Sequence, residues 1–164
     1  MRLLFDAGSL LNLGNGQVLD LLISTNEYDG FAGQIVFGEC RSIRPRLLQL
    51  VAGARLTLLP DLALSASEFA AHLDRHNLGP GETECLLHAQ ENLFVISCDD
   101  RRARRVLAEQ LGQGRVTGTI GLLMRAVHGG LLSFEQAFAS YLMMRAGGGF
   151  LPLYSEQEFR ALLP

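Results

Sequence analysis

Within residues 92–111, NLFVISCDDRRARRVLAEQL, an apolar run is followed by two acidic residues and then by an arginine-rich segment. Residues 93–97 are apolar and contain β-favouring Phe, Val and Ile, which predicts a buried strand. Asp99 and Asp100 follow at once, and the arginine-rich segment up to residue 111 predicts a helix. A strand that leads through an acidic pair into a helix is typical of a parallel sheet with helical connections.

The same alternation of short strands and helices continues on both sides of this segment. Further strands are predicted at residues 3–5, 34–37, 55–59 and 115–116. Helices are predicted at residues 9–23 with a break at 14–16, and at 39–51, 65–75, 82–91, 117–127 and 133–145. This order predicts an α/β fold with three layers, in which helices cover both faces of a mostly parallel sheet of about five strands. Ligands of such sheets bind at the C-terminal ends of the strands, where the strand order reverses.

Length and composition indicate one main domain. The chain has 164 residues, of which 48% are hydrophobic and 19% charged, and this composition excludes a disordered protein. We expect a domain at residues 1–146, followed by a glycine joint and a C-terminal helical tail at residues 147–164. The tail either packs on its own domain or docks on a partner. No apolar run approaches the roughly 20 residues that span a bilayer, so we expect a cytoplasmic protein without membrane contact.

The basic residues and cysteines exclude several kinds of site. All 14 basic residues are arginines, and the net charge is −3. Because lysine is absent, a P-loop and a Schiff-base mechanism are excluded. Cys40, Cys85 and Cys98 lack the spacing of a zinc site and are predicted to be buried thiols in a reducing compartment.

Acidic residues recur near the ends of the predicted strands and in the first turns of helices. They are Asp6, Glu39, Glu82, Glu84, Asp99 and Asp100. Helix capping explains most of them one at a time, but Asp6 follows a buried strand and precedes an apolar helix, where an unpaired carboxylate is costly. Converging carboxylates are neutralised by protons or by a divalent cation. Mg²⁺ or Mn²⁺ suits such oxygen ligands and can activate water for phosphoryl displacement.

Five segments resemble the successive motifs of the PIN-domain family of Mg²⁺/Mn²⁺-dependent nucleases. In order they are LLFDAGSLLNL (3–13), IVFGEC (35–40), LGPGETECLLHA (78–89), VISCDDRRARRVL (95–107) and VTGTIGLLMRAVHGGLLS (116–133). The resemblance covers about residues 2–132 and is strongest to a prokaryotic subgroup related to the toxins of toxin–antitoxin pairs. It implies a sheet with the first strand central and the fourth beside it, and cleavage of RNA or, less often, of DNA.

The resemblance also implies roles for the acids. Asp6 matches the ligand after the first strand, and Glu39 matches the acid after the second. Glu84, with Glu82 as its rival, matches the acid of the middle helix. Either Asp99 or Asp100 matches the acid after the fourth strand, and both stay candidates. The implied partners are RNA or single-stranded DNA, an antitoxin-like protein and a second copy of the chain.

One position departs from the family pattern and keeps two other functions open. The family usually has a hydroxyl residue two positions after the first Asp, where this chain has Gly8, and Ser9 is the nearest substitute. Gly8 and the negative net charge motivate a non-catalytic module that binds nucleic acid or protein. The segment LLFDAGSLL also resembles the nucleophile strand of haloacid dehalogenase phosphatases, but Gly8 stands where that family needs a second Asp, and its usual Lys is absent.

Candidate nucleic-acid contacts follow the acidic pair. They are Arg101, Arg102, Arg104, Arg105 and Thr117. The arginines are either a solvated helix face or ligands of a phosphate backbone. Thr117 and Thr119 flank Gly118; they are ordinary cap hydroxyls, or Thr117 helps to hold a phosphate or a metal-bound water.

Overall fold

A sheet of five parallel strands lies at the centre of the computed structural model, which describes residues 1–25 and 27–163. The strands are β1 (Arg2–Phe5), β2 (Asp29–Ala32), β3 (Leu56–Leu58), β4 (Val95–Ser97) and β5 (Val116–Thr117). Their spatial order is β3-β2-β1-β4-β5, and all four pairings are parallel. The predicted α/β class, the central first strand and the fourth strand beside it are confirmed. Because the chain builds outward from β1 in one direction and then in the other, the switch point lies between β1 and β4.

Ten α-helices flank the sheet in the described residues. They are α1 (Ala7–Asn15), α2 (Leu19–Ile23), α3 (Gln34–Glu39), α4 (Arg44–Ala52), α5 (Ala66–His76), α6 (Pro80–Glu91), α7 (Arg101–Leu111), α8 (Thr119–His128), α9 (Phe134–Ala146) and α10 (Glu156–Arg160). Short 3-10 turns at Arg41–Ile43 and Gln113–Arg115 precede α4 and β5.

The prediction of the second strand at residues 34–37 is wrong, since these residues begin helix α3. The strand in this part of the sheet is β2, whose sequence DGFA lacks an apolar run. A carboxylate from a distant helix accounts for the difference, because Glu84 accepts hydrogen bonds from the N–H groups of Ile35 and Val36 at 2.9 and 3.0 Å. Glu39 therefore ends a helix and does not follow a strand.

Several predicted boundaries are confirmed by local chemistry. The break predicted at residues 14–16 occurs slightly later, since α1 continues to Asn15 and residues 16–18 separate it from α2, with Gln17 at a φ of 57°. Pro45 lies in the first turn of α4, where its missing N–H is harmless. Ser65 caps α5 through a reciprocal capping box, and Ser133 and Ser155 do the same for α9 and α10. Helix α6 begins at Pro80, two residues before the predicted start.

The core is built around the central strands. Leu3, Leu4 and Phe5 of β1 are at most 1% exposed, and Ile96 of β4 is fully buried. The three cysteines are free and buried, as predicted. A buried apolar core of this kind fixes the strand ends, so that the polar residues that follow each strand are held at defined positions.

The C-terminal residues pack on helix α9. Phe159 of α10 is fully buried and its ring lies 4.8 Å from that of Tyr141. The Tyr141 hydroxyl donates to the Pro152 carbonyl at 2.6 Å and accepts from the N–H of Tyr154 at 2.8 Å. None of the helices in residues 1–25 and 27–163 has the length and apolar character needed to cross a bilayer.

Candidate metal centre

Three neighbouring strands end at the same edge of the sheet and deliver polar residues there. Asp6 follows β1, and its N–H donates to the Ser97 carbonyl of β4 at 3.0 Å. The N–H of Cys98 donates in turn to the Thr117 carbonyl of β5 at 3.0 Å. The chain therefore brings Asp6, Asp99 and Thr119 together at the switch point, which is where ligands bind in sheets of this kind.

Asp99 is held by hydrogen bonds from two other elements. Its Oδ1 accepts from the N–H of Thr119 at 2.7 Å, and its Oδ2 accepts from Asn12 Nδ2 at 2.8 Å and from the Thr119 hydroxyl. Thr119 is fully buried and Asn12 is 5% exposed. These contacts fix the orientation of the Asp99 carboxylate and leave it little rotational freedom.

Sequence reasoning missed Asn12 and preferred Thr117 to Thr119. A signal for Asn12 was present, since it is the one polar side chain in the apolar stretch LLNL of α1. Thr119 could not be separated from Thr117 by type, because both flank Gly118. The Thr117 side chain packs towards α8, where a Cβ on Gly121 would lie 2.7 Å from its Oγ1.

Asp6 is a buried carboxylate with few partners. It is 6% exposed and caps α1 by accepting from the N–H of Ser9 at 2.6 Å. Burial raises the pKa of Asp6 to about 6; hydrogen bonds from Cys98 and Ser9 limit the rise, and the negative charge of Asp99 adds to it. The ionised carboxylate is therefore poorly stabilised by the protein alone, and a bound cation would favour it.

Five of the six predicted acids line one cavity, which we call the acidic cleft. It has a volume of about 540 Å³, and its acids are Asp6, Glu39, Glu82, Asp99 and Asp100. Besides Asp6, two of them also have capping roles. Glu82 accepts from the N–H of Gly79 at 2.8 Å, and Asp100 accepts from the N–H of Ala103 at 2.7 Å. Loss of solvent raises the pKa of Glu39, as do the nearby charges of Glu84 and Glu82.

Glu84 lies apart from the acidic cleft. It is 2% exposed, and its two carboxylate oxygens accept from the backbone at the start of α3. Gly33 leaves room for it, since a Cβ there would overlap the carboxylate. A carboxylate at this place compensates the partial positive charge of the helix N-terminus.

The candidate nucleic-acid residues lie beside the cleft on α7 and β5. Arg101, Arg104, Arg105 and Thr117 line one hollow of about 320 Å³, which does not include Arg102. All four arginines are exposed. The ion pairs found among the described residues involve other arginines, namely Arg46 and Arg160. The α7 arginines are therefore available to anionic ligands.

The donors in the acidic cleft fit a hard divalent cation, although they do not form a complete cage. No group of three or more His, Cys, Asp or Glu side chains in the described residues is arranged to hold an ion. Mg²⁺ keeps several water ligands and is commonly held by one or two carboxylates. The adjacent Asp6 and Asp99 meet that need, and the raised pKa of Asp6 marks a carboxylate that a cation would stabilise.

Comparison with known proteins agrees with this architecture. The family model DUF3368, described as a PIN domain, matches residues 2–151. No curated protein and no solved structure matches the chain. PIN domains are generally nucleases that bind nucleic acid and use divalent metals. With a match over nearly its whole length, the chain belongs to the PIN-domain family.

Proposed function

We propose that this protein is a divalent-metal-dependent endoribonuclease that hydrolyses phosphodiester bonds at the acidic cleft. The observation that carries the proposal is the pairing of Asp6 with Asp99 at the switch point of the sheet, where burial raises the pKa of Asp6 to about 6. Two carboxylates so placed favour a cation, and a bound cation can activate water for attack on a phosphodiester.

Asp6 and Asp99 are the residues that would hold Mg²⁺ or Mn²⁺. The bound ion would supply an activated water and neutralise charge that develops on the phosphate. We assign the ligand after the fourth strand to Asp99 and not to Asp100, because Asp100 caps α7 and is exposed. Asn12 and Thr119 orient Asp99 through its two oxygens.

Glu82 and Glu39 line the same cleft and would support this pair. Glu39 lies against α6, since a Cβ on Gly81 would be 2.7 Å from Glu39 Oε2. We assign the acid of α6 to Glu82, which lines the cleft, and give Glu84 the cap of α3. Both cleft glutamates are placed to orient water or a second ion.

The arginines of α7 would bind the substrate backbone. Guanidinium groups form paired hydrogen bonds with phosphate oxygens, and Arg101, Arg104 and Arg105 line hollows next to the cleft. Arg102 would add positive charge from the exposed face of α7. Thr117 would add a hydroxyl group in the hollow that the arginines line. RNA is the expected substrate, with single-stranded DNA as the alternative.

The cellular setting is proposed from the family resemblance. It comprises an antitoxin-like protein partner, a homodimer and a cytoplasmic location. The tail packs on its own domain through Phe159, so a partner would bind the outer surface of the tail and not replace it.

A non-catalytic binding module is the second candidate. Two observations favour it: Gly8 lacks the family hydroxyl, and both Asp99 oxygens already accept hydrogen bonds. A module of this kind would bind nucleic acid without turnover.

Cleavage of a pool of single-stranded and structured RNA tests the proposal. The wild type is assayed with Mg²⁺, with Mn²⁺ and with EDTA, beside Asp6→Asn and the matched control Asp61→Asn, whose Asp is exposed. We expect cleavage that needs the ion, survives Asp61→Asn and falls by more than about a hundredfold in Asp6→Asn, since even outer residues of metal sites are worth 10–100-fold. Cleavage that persists in EDTA or in Asp6→Asn would contradict the metal mechanism. Binding without any cleavage would favour the module.

A further inference from the structure

Phe150 lies in an unusual position beside the candidate metal centre. Its side chain is 98% exposed. It lines the acidic cleft, and it also lines a second cavity of about 730 Å³, which we call the tail groove. Two arginines, Arg101 and Arg104, line the tail groove together with Met124 and Tyr154. Phe150 thus stands at the border between the carboxylates and the arginines.

The backbone on both sides of Phe150 is anchored. Gly149 lies directly against the Asn12 side chain, and its N–H donates to the Met144 carbonyl at 3.0 Å. On the other side, the Tyr141 hydroxyl bonds to Pro152 and Tyr154, as described above. The ring is therefore presented by a held segment, and keeping it in place for a ligand costs little conformational entropy.

The exposure of Phe150 has no explanation within its own domain. The neighbouring aromatic side chains Tyr141, Tyr154 and Phe159 stack on one another, and Phe150 takes part in no aromatic pair of the described residues. A fully exposed ring contributes nothing to the core. Its flat faces remain free for a planar ligand.

The surrounding charges indicate which ligand fits. Arg101 and Arg104 can bind phosphates, and the carboxylates can hold a cation that also binds phosphate. An aromatic ring beside a cationic groove is the arrangement by which proteins bind unpaired nucleic acid, since every base offers a π-face. In a duplex the bases are stacked on one another and cannot cover the ring.

We propose that Phe150 is a base-stacking residue, which holds an unpaired nucleobase at the border between the tail groove and the acidic cleft while Arg101 and Arg104 bind the adjoining phosphates. This inference rests on the proposed action on nucleic acid. It adds a specificity determinant, because the ring selects single-stranded segments and sets which phosphate reaches the carboxylates.

Binding of a labelled single-stranded RNA of about 12 nucleotides tests the inference, a length within the range that such surfaces cover. Fluorescence anisotropy is measured in Ca²⁺ for the wild type, Phe150→Ala, Phe150→Trp and the control Leu153→Ala, whose Leu is 75% exposed in the same tail. We expect Phe150→Ala to weaken binding by about fivefold to a hundredfold, as base–aromatic stacking does. Phe150→Trp should restore binding, and Leu153→Ala should leave it unchanged.

A scan with single abasic sites gives a readout that a general loss of structure would not produce. One abasic position should weaken binding to the wild type and have no further effect on Phe150→Ala. Equal binding by the wild type and Phe150→Ala, equal affinity for duplex and single strand, or no binding of single strands overturns the inference. The first result would leave the ring available to a protein partner.

Cleavage of the same RNA in Mn²⁺ separates this inference from the proposed hydrolase. Intact cleavage with no effect of Phe150→Ala on binding would contradict stacking and leave the hydrolase standing. Conversely, Phe150-dependent binding without cleavage by the wild type would support stacking and contradict the hydrolase.

Discussion

Asp6 and Glu84 are both buried carboxylates, 6% and 2% exposed, but their charges are compensated to different extents. Glu84 accepts two backbone N–H groups at the start of α3, so its charge is compensated inside the fold. Asp6 accepts one backbone N–H and hydrogen bonds from the side chains of Cys98 and Ser9, but it lies beside another carboxylate, and burial raises its pKa to about 6. We propose that incomplete compensation of a buried charge, and not burial alone, marks a ligand-binding acid.

Glu84→Gln should cause the largest loss of stability. The Gln amide would turn a donor towards one of the two backbone N–H groups, and a buried donor without an acceptor costs about 1–3 kcal/mol. Chemical denaturation should show a loss in this range, against less than about 1 kcal/mol for Glu82→Gln, which weakens only a partly exposed cap. Unchanged stability of Glu84→Gln would contradict the structural role.

Asp6 should lower stability as its carboxyl ionises. Its pKa rises from 3.8 to about 6 on folding, so the folded protein binds the proton more tightly. Stability from this group is fully present below pH 3.8 and is lost as the pH rises through 6, a change on the order of 3 kcal/mol. Denaturation of the wild type and of Asp6→Asn at several pH values should show this loss as their difference.

Mg²⁺ or Mn²⁺ should restore the lost stability above pH 6, because it binds the ionised carboxylate of the folded protein. If the stability of the wild type and that of Asp6→Asn changed in parallel with pH in the absence of ions, the effect of burial on Asp6 would be contradicted.

Asn12→Ala and Thr119→Val should each lower cleavage by about 10–100-fold, because they remove the hydrogen bonds that the Asn12 amide and the Thr119 hydroxyl donate to Asp99. Thr57→Val is the matched control and should leave cleavage unchanged, since Thr57 is exposed on the edge strand β3. An equal loss in all three variants would indicate general destabilisation and not orientation of Asp99.

Gly8→Ser should have the smallest effect of these substitutions, and it should increase ion affinity and cleavage. A Cβ at Gly8 would lie 3.7 and 3.8 Å from the Asp6 oxygens, so it fits without displacement and its hydroxyl would be within reach of Asp6. One added hydrogen bond to Asp6 is worth about 1 kcal/mol, or roughly fivefold in ion affinity or cleavage. Gly38→Ser, with open space around it, serves as the control. A loss of cleavage in Gly8→Ser would mean that this chain uses the open space at Gly8.

Much of the fold was predictable because strong local signals agree with it. The apolar run at β4 and the capping boxes predicted the α/β class and the parallel sheet, and the acids at strand ends predicted a cluster of Asp6 with either Asp99 or Asp100. The α3 segment was predicted as a strand, because IVF in residues 34–37 (QIVF) is apolar enough for one. Its helical start is instead capped by a carboxylate from α6, 48 residues away along the chain from Val36.

The same long-range contacts limited the prediction of the site. Glu82 and Glu84 are both acids in the first half of α6, but they bind different partners. Glu82 accepts from the N–H of Gly79, and Glu84 accepts from the backbone of α3. Asn12 gains its role only because α1 crosses the end of β4, 87 residues away from Asp99 in sequence.

Calorimetric titration of Mn²⁺ into the wild type, Asp6→Asn and Glu84→Gln at low temperature distinguishes the two buried carboxylates. Circular dichroism first establishes that each protein is folded. We predict binding by the wild type and by Glu84→Gln with similar affinity, and a loss of at least about tenfold in Asp6→Asn. Tight binding by Asp6→Asn, or its loss in folded Glu84→Gln, would contradict the assignment of the metal centre to Asp6 and Asp99.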